Sequence, residues 1–109
     1  MALFGVNKAE FKKMLDLLEK AVIMFEKHVE EDSEEKIVIE LLHLYKQLVK
    51  ARKWAGEVGD VMVITEVNGA AFEVYELAKL AEQKKLKITR LKERLSVAAK
   101  SLYNAASKI

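Results

Sequence analysis

Apolar residues recur at alternating intervals of three and four along most of this chain. The first series is Phe11, Leu15, Leu18, Val22, Phe25 and Val29, and the last is Ile88, Leu91, Leu95, Ala98, Leu102, Ala105 and Ile109. Such spacing places every member on one face of an α-helix, because the helix completes a turn every 3.6 residues. Proline is absent and only four glycines occur, so few positions can interrupt a helix. The pattern predicts an all-α fold built from long helices.

Four such series predict four helices, over about residues 8–31, 33–55, 60–83 and 88–108. The connections between them are short, and short connections place successive helices antiparallel. We therefore expect an up-down-up-down four-helix bundle in which residues 1–109 form a single domain.

Polar and glycine residues mark the ends of these helices. Asn7, followed three residues later by Glu10, forms a capping-box pair before the first helix. Asp32 or Ser33 can cap the second helix, and Asp60 can cap the third. Gly56 is the residue that we expect to end the second helix.

The third helix has a competing interpretation over residues 61–75. The β-branched segments VMVITEV and AAFEVYE flank Asn68-Gly69, a pattern typical of a β-hairpin. The spacing of three and four nevertheless continues through the dipeptide, at Val63, Val67, Ala70, Val74, Leu77 and Ala81. A lone two-stranded hairpin is marginally stable in water, so the helix is favoured. Because its apolar residues lie nearly all round, we expect this helix to be the most buried.

The composition indicates a folded protein without disulfides. Of its 109 residues, 51% are hydrophobic and 33% charged, and none is cysteine. No apolar run reaches the roughly 18–20 residues that cross a bilayer, and the N-terminal segment lacks the order of a signal peptide. We expect a cytoplasmic protein that does not bind membranes. A contact of Ala2, Leu3 and Phe4 with a membrane surface is a less favoured alternative.

The sequence contains no recognised catalytic spacing. Glu40 and His43 form the Glu-x-x-His unit of four-helix di-iron proteins, but both point away from the apolar stripes of the second helix and no second unit occurs. His28 flanks the core face of the first helix and is interpreted as a structural residue. The prediction is a protein that is not an enzyme and holds no metal or cofactor.

The first helix carries more apolar surface than one partner helix covers. Met14, Leu17, Ala21 and Met24 widen its stripe on one side. Trp54, near the end of the second helix, is a candidate anchor. We expect a protein–protein interaction or assembly module, in which Met14, Leu17, Met24 and Trp54 contact a second copy of the chain or another protein.

Charge is distributed unevenly along the chain. Residues 84–109 contain eight basic residues and one acid, Glu93, whereas the remainder contains eleven basic and sixteen acidic residues. In an up-down-up-down bundle, Lys84, Lys85 and Lys87 lie at the same end as the acidic segment 30–35. The basic residues can therefore pair within the molecule, or they can bind a polyanion.

The segment from Arg90 to Ile109, RLKERLSVAAKSLYNAASKI, resembles the helix-turn-helix of DNA-binding regulators. The resemblance implies a turn near Ser96 and a second helix in the major groove. Nucleic-acid binding is therefore the alternative function, with these candidate contact residues: Arg90, Lys92, Arg94, Lys100 and Asn104. The apolar spacing instead continues unbroken through Ser96, which predicts a single helix.

Overall fold

A computed structural model describes residues 7–109, and nearly all of them are helical. The helices are α1 (Lys8–His28, continued by a 3-10 turn at Val29–Glu31), α2 (Glu34–Val58), α3 (Val61–Glu82) and α4 (Ile88–Ser107). No strand occurs within residues 7–109, and the helices pack together into a four-helix bundle. The predicted fold class is confirmed. Ala2, Leu3 and Phe4 lie outside the described residues.

The four helices form a ring in which each one packs against its two neighbours. Contacts between α1 and α4 show the antiparallel order, because Glu30 at the end of α1 meets Lys92 while Glu26, one turn earlier, meets Ser96. The bundle measures 44 × 20 × 18 Å. The seam between α1 and α2 is the least extensive of the four, and this difference shapes the surface described below.

Side-chain caps begin the first three helices at the predicted residues. The Asn7 Oδ1 accepts hydrogen bonds from the N–H groups of Ala9 and Glu10, at 2.8 and 3.2 Å. The Ser33 Oγ accepts one from the Lys36 N–H at 3.2 Å. The Asp60 carboxylate accepts two hydrogen bonds, from the N–H groups of Met62 and Val63. These bonds occupy backbone donors that the first turn of a helix leaves without partners.

The predicted end of α2 at Gly56 is wrong, because the helix continues through that glycine to Val58. The additional turn brings Val58 into contact with the core. Gly59 ends the helix with φ +80°, and its N–H donates to the Ala55 carbonyl. This left-handed conformation strongly favours glycine.

The predicted helix at residues 61–75 is confirmed, and the hairpin alternative is wrong. α3 runs without interruption through Asn68 and Gly69. The helix is favoured because it buries the apolar series from Val63 to Leu77 in the bundle core, with Ala81 partly buried against it. The prediction that α3 would be the most buried helix is wrong, because it leaves Phe72 and Tyr75 exposed and α4 buries as many residues.

The core consists of the predicted apolar stripes except at their ends, where Ile88 is exposed and Ala81 and Ile109 are partly buried. Within residues 7–109 the core includes no buried polar or charged side chain. Alanines make up seven of the fourteen buried residues on α3 and α4. None of the described helices is long and apolar enough to cross a membrane.

Candidate interaction surfaces

The residues that widen the stripe of α1 form an edge that faces the α2 side of the bundle. We call Met14, Leu17, Ala21 and Met24 the α1 apolar edge; intervals of three and four align them along the helix. Leu17 is 58% exposed and Met24 is 53% exposed. Met14 is half-buried and packs against the core. Two of the four members are therefore large apolar side chains that the bundle does not cover.

An open groove of about 430 Å³ lies between the α1 apolar edge and α2. Its lining residues are Met14, Leu17, Leu18, Ala21, Gln47 and Lys50. The groove exists because the α1–α2 seam is the least extensive one, so that α2 does not extend over the edge. Met24 continues the same face one turn beyond Ala21.

Trp54 is half-buried and packs where the start of α1 meets the end of α2. Its ring centroid lies 6.3 Å from that of Phe11, with the two planes at 57°. The Lys50 Nζ lies 5.4 Å from the centroid of the Trp54 ring. Lys50 also lines the groove, so the structure places all four predicted interface residues on the α1–α2 side. Phe11, Lys50 and the bundle core therefore already cover much of the Trp54 ring.

Three of the five candidate nucleic-acid residues on α4 are engaged with acidic side chains of neighbouring helices. The Arg94 guanidinium donates to both carboxylate oxygens of Glu73, with Nε at 2.7 Å from Oε2. The Lys92 Nζ donates to Glu30 Oε1 at 2.9 Å. Asn104 donates to the Glu66 carboxylate at 3.2 Å. Arg90 and Lys100 are exposed.

The ion pairs of α4 shift the pKa values of Glu30, Lys92 and Arg94. The hydrogen bond from Lys92, reinforced by its positive charge, lowers the pKa of the Glu30 carboxyl, and the same contact raises the pKa of Lys92. The hydrogen bond to Glu73 raises the pKa of Arg94. Each shift favours the charged form and therefore the paired state.

The helix-turn-helix interpretation of residues 90–109 is wrong. α4 is one continuous helix through Ser96, and the Ser96 hydroxyl donates to Glu26 at 3.3 Å. Leu91 and Leu95 precede Ser96 and Leu102 follows it, and all three side chains are fully buried. A turn at Ser96 would move Leu102 off the face that it shares with the other two. No separate recognition helix is formed.

The basic connection before α4 and the acidic turn after α1 lie at the same end of the bundle, as predicted. Lys84 lines a depression together with Glu30, Asp32 and Glu34. Within residues 7–109, however, the ion pair that joins α4 to this turn comes from Lys92, one turn inside α4. The connection bends at Lys84, whose φ is +58°, and α4 begins only at Ile88. Lys84, Lys85 and Lys87 therefore lie outside the helix.

A second surface, which was not predicted from the sequence, lies between α2 and α3. We call it the α2–α3 aromatic surface; it surrounds a shallow groove of about 310 Å³ lined by Tyr45, Arg52, Asn68, Ala71, Phe72 and Tyr75. Phe72 is 61% exposed and Tyr75 is 42% exposed. A sequence signal for this surface exists on α2, where a second apolar series at Val38, Leu42, Tyr45 and Val49 runs beside the series that is buried in the core.

The α2–α3 aromatic surface is held in place by contacts between its own side chains. The ring centroids of Tyr45 and Tyr75 are 5.4 Å apart. The Arg52 Nε donates to Asn68 Oδ1 at 3.1 Å, and the Lys79 Nζ lies 5.4 Å from the Tyr75 centroid. Ordered aromatic and arginine side chains are typical of the energetically dominant residues in protein interfaces.

Within the described part of the chain, no group of three or more His, Cys, Asp or Glu side chains is placed to hold a metal ion. His43 is exposed and shares a hydrogen bond with Gln47 at 3.2 Å. No family model, curated protein or solved structure matches this chain.

Proposed function

We propose that this protein is a non-enzymatic helical interaction module that associates with a second copy of itself through the α1 apolar edge. The observation that carries the proposal is the open groove beside Leu17 and Met24, two large apolar side chains that remain more than half exposed. A row of exposed apolar residues beside an uncovered groove is a common mark of a protein interface.

The shape of the bundle suits a two-fold dimer. Packing the α1 apolar edge of one copy against that of another gives an isologous contact, in which the same residues serve both partners. One face of a body 44 Å long and 20 Å wide is comparable with the roughly 800 Å² that each partner contributes to a standard interface. The groove can accept the partner's protruding side chains.

The expected affinity is moderate. Full burial of a leucine or methionine side chain is worth roughly 1.5–3 kcal/mol, so covering the exposed half of Leu17 and Met24 contributes about 1 kcal/mol for each. Four such side chains in the dimer give about 4 kcal/mol, in addition to the contribution of the groove. Association entropy opposes this gain. These side chains alone would therefore give only weak association, since about 4 kcal/mol corresponds to a dissociation constant on the order of millimolar. Complete interfaces of roughly 800 Å² per partner bind with micromolar to picomolar constants, and we expect this one at the weak limit, on the order of micromolar.

Sedimentation velocity between about 1 and 300 μM tests the proposal, because this range brackets a micromolar constant. The expected result is a shift from the 12.4 kDa monomer to twice that mass. Leu17→Lys should abolish the shift. Tyr103→Lys is a matched control, because Tyr103 is also 58% exposed but lies on α4. A strict monomer at the highest concentration, or a dimer lost only in Tyr103→Lys, refutes the proposal.

Nucleic-acid binding through Arg90, Lys92, Arg94, Lys100 and Asn104 stays a prediction with less support, since acidic partners occupy three of these side chains. Titration of a labelled duplex at low and moderate salt tests it, because phosphate contacts weaken steeply as salt rises. No binding at low salt would remove this alternative.

A further inference from the structure

The α2–α3 aromatic surface is separate from the α1 apolar edge and has the features of a second docking site. On α2, the exposed residues Leu42 and Val49 stand three residues before and four residues after Tyr45. These spacings place all three on one face of the helix. Phe72 and Tyr75 complete the apolar area from α3. The proposed self-association does not use any of these residues.

The charged residues that line the groove or touch its aromatic rings are basic. Of the described residues that line the groove, none is acidic, and Arg52 is basic. Lys79 lies against Tyr75. Two exposed lysines flank the α2 part of the surface: Lys46 follows Leu42 by four residues, and Lys53 follows Val49 by four. Residues four apart are neighbours on a helix surface, so both lysines border this face.

The acidic residues that follow Phe72 most closely on α3, Glu73 and Glu76, line a different depression. Glu76 lines the hollow between α3 and α4, together with Glu73, Arg90 and Arg94. Phe72 lines both hollows and therefore stands on the crest between them. The groove on the α2 side of this crest is lined by three aromatic side chains and by Arg52, and Lys79 lies against one of the rings.

We propose that the α2–α3 aromatic surface docks an amphipathic helix of another protein, one that carries Asp or Glu beside its apolar stripe. Two antiparallel helices form a straight trough into which a third helix fits. From Leu42 to Arg52 the trough is about 15 Å long, at 1.5 Å per residue, which matches about three turns of a partner helix. Acidic residues on the partner complement the basic border.

The same features favour a helix over single-stranded nucleic acid. Stacking of bases needs aromatic faces that are free. Tyr75 already has the Tyr45 ring and Lys79 against it, which leaves Phe72 as the main available ring on this surface. The aliphatic side chains of Leu42 and Val49 add apolar area that a partner helix can cover.

The test uses two synthetic peptides and the full chain. Each peptide has about four helical turns, with leucines at intervals of three and four along one stripe; one carries glutamates on both sides of the stripe and the other lysines. The titrations follow the fluorescence anisotropy of the labelled peptide. The glutamate peptide should bind saturably, with a dissociation constant of about 10 μM, and the lysine peptide at least about tenfold more weakly.

Substitutions assign the binding to this surface. Phe72→Ala and Lys53→Glu should each weaken binding of the glutamate peptide by about fivefold or more. Tyr103→Ala, on the α4 side, should leave it unchanged. Phe72 and Lys53 are exposed, so the variants should fold, and circular dichroism checks this. Leu17→Lys should bind the peptide like the natural chain, which keeps the result independent of self-association.

Three results would overturn the proposal. They are the absence of saturable binding up to about 200 μM peptide, well above the expected constant, equal affinity for the two peptides, and binding that Phe72→Ala does not change. Oligothymidine binding that depends on Phe72, without peptide binding, would assign the surface to single-stranded nucleic acid instead.

Discussion

Gly69 lies in the middle of α3, and replacing it with alanine should stabilise the protein. Its backbone has helical dihedral angles, since Gly59 is the glycine with positive φ in the described part of the chain. A Cβ at Gly69 would meet the Ser101 Oγ at 4.0 Å as its nearest contact, which is ordinary van der Waals distance. The additional methyl group therefore fits without moving α4.

The size of the gain follows from helix propensity. Alanine is favoured over glycine in a helix interior by about 0.8–1.0 kcal/mol. The measured gain for a compatible Gly→Ala substitution is typically about 0.4–1 kcal/mol. For a chain of 109 residues, this corresponds to an increase in Tm of about 2–4 °C.

Urea unfolding followed by circular dichroism at 222 nm measures the change in the free energy of unfolding. Gly59→Ala is the matched control, because a Cβ there would likewise fit without a clash, with no atom within 4 Å, but φ is +80°. This variant should lose about 1–2 kcal/mol, the cost of a left-handed backbone for an L-residue. The two positions differ in backbone conformation rather than in the room available for a Cβ atom.

The same experiment separates the helix from the hairpin at residues 61–75. In an Asn-Gly hairpin turn, Gly69 would have positive φ, and alanine would destabilise the protein. A lower urea midpoint for Gly69→Ala, with an unchanged m-value, would therefore refute the helical assignment of this segment.

Three further predictions follow from the caps, the core and the ion pairs. Asp60 accepts hydrogen bonds from the N–H groups of Met62 and Val63 at 2.9 and 3.2 Å, so Asp60→Ala should cost about 1 kcal/mol in urea unfolding while Asp60→Asn costs less. Leu48 is fully buried, so Leu48→Ala should cost about 2–5 kcal/mol; a loss below about 1 kcal/mol would contradict the packing. Lys92 lowers the pKa of Glu30, so the contribution of Glu30 to stability is complete above the ordinary glutamate pKa and is lost as the pH falls through the lowered value. Glu30→Gln should flatten the stability curve in that acidic range, and an NMR titration that finds an unshifted or raised Glu30 pKa would contradict the pairing.

The sequence predicted the helices well because each one is long and has a regular apolar face. The least accurate predicted boundary was the end of α2, where either Gly56 or Gly59 could end the helix. Which glycine ends the helix depends on whether Val58 reaches the core, and this is a tertiary contact that local spacing does not contain. The choice between helix and hairpin at Asn68-Gly69 also depended on tertiary burial, although here the periodicity pointed to the right answer.

The candidate sites were less predictable because they depend on which side chains meet. Net charge showed that residues 84–109 are basic, but not that Lys92 faces α1 while Arg94 faces α3. The exposure of Phe72 and Tyr75 was missed because α3 is apolar nearly all round, and periodicity then does not distinguish an outward residue from an inward one. On α1, where most of the remaining circumference is polar apart from Ile23, the sequence pattern predicts the edge at Leu17 directly.

The unequal seams of the bundle have a consequence for folding during synthesis. α1 has its more extensive seam with α4 rather than with its immediate successor α2, and Lys92 is 62 residues beyond Glu30. At about 5–20 residues per second, a ribosome needs on the order of 3–12 s to make that segment. Throughout this interval the apolar face of α1 lacks its main partner. The nascent chain therefore leaves part of the apolar face of α1 uncovered until α4 emerges.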